Sequence, residues 1–193
     1  MQDSPSGPIV GLNDQEKQYL LDLVRNTIVN ILETGEFPET EPVSEKMREK
    51  YGVFVTLHKE GNLRGCIGYI EGVDQLYKSV MNMSKSAAFQ DPRFPPVEKK
   101  EVDQLEIEIS VLSPIKKIES VDEIQVGKHG LIVQQGPYRG LLLPQVATEW
   151  GWDKLQFLEQ TCRKAGLSTD AWKNTETDIY IFSAEIFSEN EFD

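Results

Sequence analysis

Cys66 sits in the run LRGCIGYI, residues 63–70, directly after Gly65, two residues before Gly68 and two after Arg64. Glycine has no Cβ, so the backbone at these two positions can bend sharply and a ligand can come close to it. Amide N–H groups around Gly65 and Gly68 could then face an anion. A thiol in that setting is a candidate nucleophile or redox group, active as the thiolate. On a regular strand Arg64 points to the face opposite Cys66, so the two meet only if the backbone kinks at Gly65. The same letters also describe a small core residue in a glycine-relaxed strand, since free cysteine is among the most buried residue types.

Other residues could assist. His58 ends the run GVFVTLH, and His129 lies between glycines in GKHG. Either could serve as base to a cysteine, because Cys/His pairs are spatial and not sequential. The glycines around His129 suggest an exposed or closely approached backbone, and a capping or surface histidine is the plainer alternative. Glu149 stands beside Trp150 and close to Trp152, and a carboxylate next to indoles can keep a proton and act as acid or base. As an ordinary helix residue it would simply be solvated. Arg93, held in the proline-limited loop DPRFPPV, and Arg139, in YRG, are candidate anion clamps or else partners of the many acids. Cys162, Trp150, Trp152, Phe157 and Trp172 read as core. No CxxC, HExxH, GxxxxGK[ST], GxSxG or strand-linked GxGxxG is present, so zinc, common nucleotide and serine-hydrolase chemistries have no signature here.

The elements that must position these residues follow from periodicity. Asn13 with Glu16 forms a capping box, apolar residues from Leu20 to Leu32 recur at helical spacing, and Gly35 stops that helix, which spans about 13–33. GVFVTLH (52–58) is a strand, Gly61-Asn62 a turn, and 63–70 the returning strand of a hairpin. A helix over 74–89 ends before Asp91-Pro92. LEIEISVL (105–112) alternates as a strand with one wet face. GKHG, LIVQQG and YRGLLLP suggest short strands of a meander, followed by helices over 144–150 and 153–165 and a strand over 179–187. The class is α+β with a mostly antiparallel sheet flanked by helices.

Length and composition fit this reading. The chain has 193 residues, 39% apolar and 27% charged, with a net charge of −12. An acidic surface without a basic cluster argues against direct nucleic-acid binding and against an anionic membrane. No apolar run reaches the roughly 18 residues of a membrane helix. The opening MQDSPSGP has neither the basic nor the apolar stretch of a secretory signal, so a cytoplasmic setting with reduced thiols is expected. Residues 1–11 read as a frayed, disordered tail.

Taken in order, GVFVTL, LRGCIGYI, DPRFPPV, LEIEISVLSP, GKHGLIV, RGLLLPQVA, GWD and CRKAGL resemble the AMMECR domain family, whose bacterial and archaeal members are labelled protein A of the AmmeMemoRadiSam system. The resemblance covers about 12–190, nearly the whole chain. It implies one AMMECR-type domain over 12–193, with a larger subdomain built from both chain ends. It further implies a smaller lobe inserted around 114–147 and a cleft between the two. The family has no established biochemical activity. Its hallmark falls on Arg64, Gly65, Cys66, Ile67 and Gly68, and its accompanying polar positions on Asp91, Arg93, His129, Arg139 and Glu149. Memo-type and radical-SAM pathway proteins are the implied partners, with RNA or a small metabolite as the implied target. Two functions stand side by side: an enzyme using Cys66 on an anionic substrate, and a non-catalytic module that binds those partners.

Overall fold

The computed structural model describes residues 10–192. The tail expected over 1–11 lies outside the described residues up to residue 9. Val10 and Leu12, by contrast, are buried in the core, and the Gly11 and Leu12 amides donate to the Glu185 carboxylate, so residues 10 and 11 are not the frayed tail expected of them.

The elements run α1 (Asp14–Thr34), β1 (Gly52–Lys59), β2 (Asn62–Tyr69), α2 (Leu76–Phe89), β3 (Leu105–Leu112), β4 (Lys116–Lys117), β5 (His129–Gln135), β6 (Tyr138–Leu142), α3 (Pro144–Glu149), α4 (Lys154–Lys164) and β7 (Asp178–Ser188). Every described strand pairing is antiparallel, and the class is α+β. The local signals act as expected. The Asn13 side chain accepts from the Glu16 N–H while Glu16 reaches back to the Asn13 N–H, both at 2.9 Å. Gly35 closes α1 in the left-handed conformation that a side chain would resist.

The chain divides into two compact units. One holds residues 10–112 and 185–192. Here β1 lies between β2 and β3, and its alternate residues Val53, Val55 and Leu57 are buried with Ile107, Ile109 and Val111. Helices α1 and α2 pack on each other and supply Leu20, Leu21, Val24, Val80 and Met83 to that core. Each such side chain contributes about 1.5–3 kcal/mol by leaving water. The chain end closes the unit. Phe187 is fully buried in this core, and Glu189 clamps the Arg25 guanidinium at 2.9 and 2.7 Å while accepting the Ile107 N–H.

The other unit comprises residues 113–184. Its strands run in the order β4, β7, β5, β6. Phe157, Leu158 and Cys162 of α4 pack with Leu131, Val133 and Ile181. The expected meander is two strands instead of three pieces. Gly127 turns in the left-handed region, and His129 already begins β5. In β3 the alternation holds only for the first half, because Ser110 and the residues after it are buried on both faces.

Candidate functional site

Cys66 owes its position to a register change. The hairpin turns at Glu60-Gly61, both at positive φ, one residue earlier than Gly61-Asn62. Lys59 pairs with Asn62 and His58 with Leu63, but Leu57 pairs with Gly65, so Arg64 is an extra residue bulged out of β2. The bulge turns over the faces of everything after it. Gly65 and Ile67 then face the helices, while Cys66 and Gly68 lie opposite Thr56 and Phe54 on the other face. Were Arg64 paired in regular register with Leu57, Cys66 would fall opposite Val55 and point into the core.

Gly65 is needed where it stands. A Cβ there would lie 2.2 Å from the Ala87 carbonyl oxygen of α2, so helix and strand touch through the missing side chain. At Gly68 a Cβ would meet the Phe54 ring at 2.3 Å. The close approach at both glycines is made by the protein itself.

Asp91 and Arg93 grip the backbone of Cys66 from the open edge of β2. Asp91 Oδ2 accepts the Cys66 N–H at 2.9 Å, and Arg93 Nη2 donates to the Cys66 carbonyl at 3.1 Å. The two side chains are joined to each other, Nε to Oδ1 at 3.0 Å and Nη2 to Oδ2 at 2.7 Å. The pair thus imitates a neighbouring strand at one residue and satisfies an edge that would otherwise be unpaired. The Asp91 side chain is 1% exposed, and the Arg93 hydrogen bond holds its carboxyl far below the usual carboxylate range. Burial works the other way, and the N–H groups of Cys66 and Arg93 add to the lowering. The Arg93 side chain is 53% exposed, and its Nη1 has no hydrogen-bond partner among the described residues.

The Cys66 side chain is half-buried, and its Sγ accepts a hydrogen bond from Thr56 Oγ1 at 3.3 Å. Because Cys66 directs both backbone groups outward, Thr56 and Cys66 form the kind of antiparallel pair whose side chains come closest. Arg64 faces elsewhere. Its guanidinium binds Glu101 at 3.2 and 3.0 Å and the Pro95 and Pro96 carbonyls, fastening the DPRFPPV loop to β2. Those contacts bring Glu101 down to about 2, with help from the Glu98 N–H and Lys59 against the effect of burial.

Of the residues expected in the site, the structure joins Cys66, Asp91 and Arg93 directly, with Arg64, Gly65 and Gly68 as the frame. His129, Arg139 and Glu149 belong to the unit of residues 113–184. His129 is 1% exposed, in contrast to the exposed position that its glycines suggested, and its Nδ1 accepts the Gln125 N–H at 3.2 Å. Buried Gly130 faces the Phe182 ring, so the second glycine serves packing. Arg139 is exposed on β6, and Glu149 is exposed at the end of α3. His58 is half-buried, opposite Leu63 and Glu106. Cys162 is core, as expected, and burial pushes its thiol up. Trp150 is not core. It is 71% exposed and stacked on Trp152 with ring centroids 6.1 Å apart. Among the described residues no group of three or more His, Cys, Asp or Glu could hold a metal ion. Thr56 was missed because finding it requires the bulge, and Glu101 because its partner lies 37 residues away.

The α+β chain belongs to the AMMECR1 family, whose model matches residues 21–187. It is 44% identical over 186 residues to a Methanopyrus kandleri protein, covering 92% of this chain and 90% of that one. It is 46% identical over 188 residues to a Methanothermobacter thermautotrophicus protein, covering 93% and 97%. The crystal structure of an uncharacterized Pyrococcus horikoshii protein superposes with a TM-score of 0.83 at 43% identity, covering 92% of this chain and 93% of that one.

Proposed function

We propose that this AMMECR1-family protein is an enzyme whose Cys66 reacts as a thiolate with an anionic small molecule. The observation that carries the reading is the surroundings of the thiol. Sγ is half-buried on the polar face of the sheet, accepts a hydrogen bond from Thr56, and belongs to a residue whose carbonyl is held by a half-exposed arginine. A polar donor and a cation beside sulfur are surroundings in which nucleophilic cysteines are found. Arg93 also keeps its Nη1 N–H groups without a partner among the described residues, which suits an oxygen of a carboxylate or phosphate group. A target that belongs to an RNA-modification pathway would reach this site as its anionic fragment and not as a bound polynucleotide, given the net charge of −12.

The test compares two alkylating agents of similar size, anionic iodoacetate and neutral iodoacetamide. Iodoacetate is expected to gain about 5–10-fold on iodoacetamide at Cys66 relative to a free thiol, through attraction to Arg93. Arg93→Gln should remove the gain. Equal preference in both proteins would contradict the anion role.

A second reading, a non-catalytic module docking Memo-type or radical-SAM proteins, draws on the exposed Trp150–Trp152 stack, since exposed tryptophan is enriched at binding hot spots. Trp150→Ala should then weaken capture of such a partner without changing Cys66 labelling.

A further inference from the structure

The unit of residues 113–184 holds a cleft of about 360 Å³ to which no residue of the Cys66 site contributes. That volume falls within the range of about 300–1,000 Å³ usual for small-molecule sites. The cleft is bordered on one side by the short pairing of β4 with β7, where Lys117 lies opposite Tyr180 and the Ile118 N–H donates to the Ile179 carbonyl at 3.0 Å. On the other side stand the helical turn Ala171–Lys173 and the tight turn after it. There the Asn174 carbonyl accepts the Thr177 N–H and the Asn174 side-chain oxygen accepts the Glu176 N–H, both at 3.0 Å. Lys117, Glu119, Trp172, Asn174, Thr177 and Asp178 supply polar groups to the lining. Two of these residues carry a buried polar atom with no hydrogen-bond partner among the described residues, the Trp172 Nε1–H and the Thr177 hydroxyl. Trp172 packs its ring against the core, as its residue type leads one to expect, but the N–H is left over. Buried polar groups are nearly always satisfied, so two unsatisfied ones on the lining of one cleft call for an oxygen that the protein does not provide.

We infer that this cleft binds a small uncharged polyhydroxyl molecule, a sugar or cyclitol, whose oxygens accept from Trp172 and Thr177 and whose hydroxyl protons go to Asp178 and Glu119. The ligand class follows from the lining. The indole N–H is a donor only and needs an acceptor, while the two carboxylates are acceptors only and need donors. A hydroxyl group is both. A carboxylate or phosphate ligand would bring another anion beside Asp178 and Glu119, and the lining cation Lys117 is already paired with Asp178 at 2.6 Å. An ammonium ligand has no lone pair to offer Trp172. The charges also balance: Lys173, whose Nζ lies 5.2 Å from the Trp172 ring centroid, joins Lys117 against Asp178 and Glu119. An uncharged ligand therefore meets no net charge. Asn174, with its side-chain oxygen engaged by Glu176, keeps its N–H₂ group as a further donor. The site is independent of the reading of Cys66 as a reactive thiol.

The experiment follows the indole N–H resonances of Trp150, Trp152 and Trp172 by NMR in the isotope-labelled full chain. D-glucose, D-ribose and myo-inositol are added in turn, with acetate and methylammonium as charged counterparts. Trp172→Phe identifies the Trp172 resonance by its loss. At least one of the three polyols should move that resonance saturably while Trp150 and Trp152 stay in place, and neither ion should move it. Thr177→Val should weaken the binding about 3–10-fold, the worth of one uncharged hydrogen bond, and Thr177→Ser should keep it. The remainder of each spectrum verifies that the variant is folded. A Trp172 resonance that none of the three polyols moves saturably overturns the site. Saturation by acetate or methylammonium overturns the ligand class, and binding that Thr177→Val leaves unchanged overturns the placement.

Discussion

At the scale of single residues, the clasp of Asp91 and Arg93 on the Cys66 backbone links stability to the site. Asp91 is buried and makes four hydrogen bonds, to the Cys66 N–H and to the N–H, Nε and Nη2 groups of Arg93. Asp91→Asn should lower the unfolding free energy by about 2–3 kcal/mol, since hydrogen bonds to charged groups are lost while the half-exposed Arg93 can turn to water. A urea midpoint measures this. The pH dependence has a definite sign. Because the folded protein holds Asp91 ionised below the usual carboxylate range, the unfolded chain binds more protons from about pH 4 downward. This part of the stability is full above that range and is lost as acid approaches the folded value. The acid limb of stability against pH should therefore be shallower in Asp91→Asn. Cys66 and Arg93 were legible as candidates from residue type and glycine spacing. Their connection through backbone atoms was not, because a main-chain contact leaves no mark on residue type.

At the scale of elements, the β2 bulge and the approach of α2 decide what Cys66 faces. Gly65→Ala would place a methyl 2.2 Å from a helix carbonyl that cannot swing aside, so a loss of about 3 kcal/mol and slower Cys66 chemistry are expected. Gly68→Ala meets the Phe54 ring at 2.3 Å, which can rotate, and the Val53 carbonyl oxygen at 2.5 Å, which cannot, and should cost about 2 kcal/mol. Thermal or urea denaturation of the two variants tests the order. Elements with strong local signals were readable. The capping box and Gly35 bracket α1, Asp91-Pro92 stops α2, and the alternation of LEIEISVL gives β3. The bulge was not, since one extra residue in a hairpin preserves the strand signal while turning over its faces. His129 and Trp150 failed for a related reason. Flanking glycines can serve packing as well as exposure, and an apolar aromatic next to a helix end carries no letter that says which way it turns.

For the whole molecule, the two chain ends meet in one unit, whose core includes Val10, Leu12 and Phe187. Removing residues 185–193 would take away Phe187, the carboxylate held by Gly11 and Leu12, and the Glu189 partner of Arg25. Loss of a buried phenylalanine alone costs about 3–5 kcal/mol. Against a typical total of about 5–15 kcal/mol, the truncated chain should be protease-sensitive and fail to show a cooperative transition. Among the described residues no helix is long and apolar enough to cross a membrane. Family membership and the α+β class were both legible in ordered motifs that span nearly the full length. The central claim, a reactive Cys66, is tested most directly by labelling the folded protein at neutral pH and following both free cysteines by mass spectrometry. Cys162 is buried in the other core and serves as the internal control. The account predicts that Cys66 is modified at least about tenfold faster than Cys162 without denaturant. If both thiols stay unlabelled until the protein unfolds, Cys66 is a packing residue and the enzymatic account is wrong.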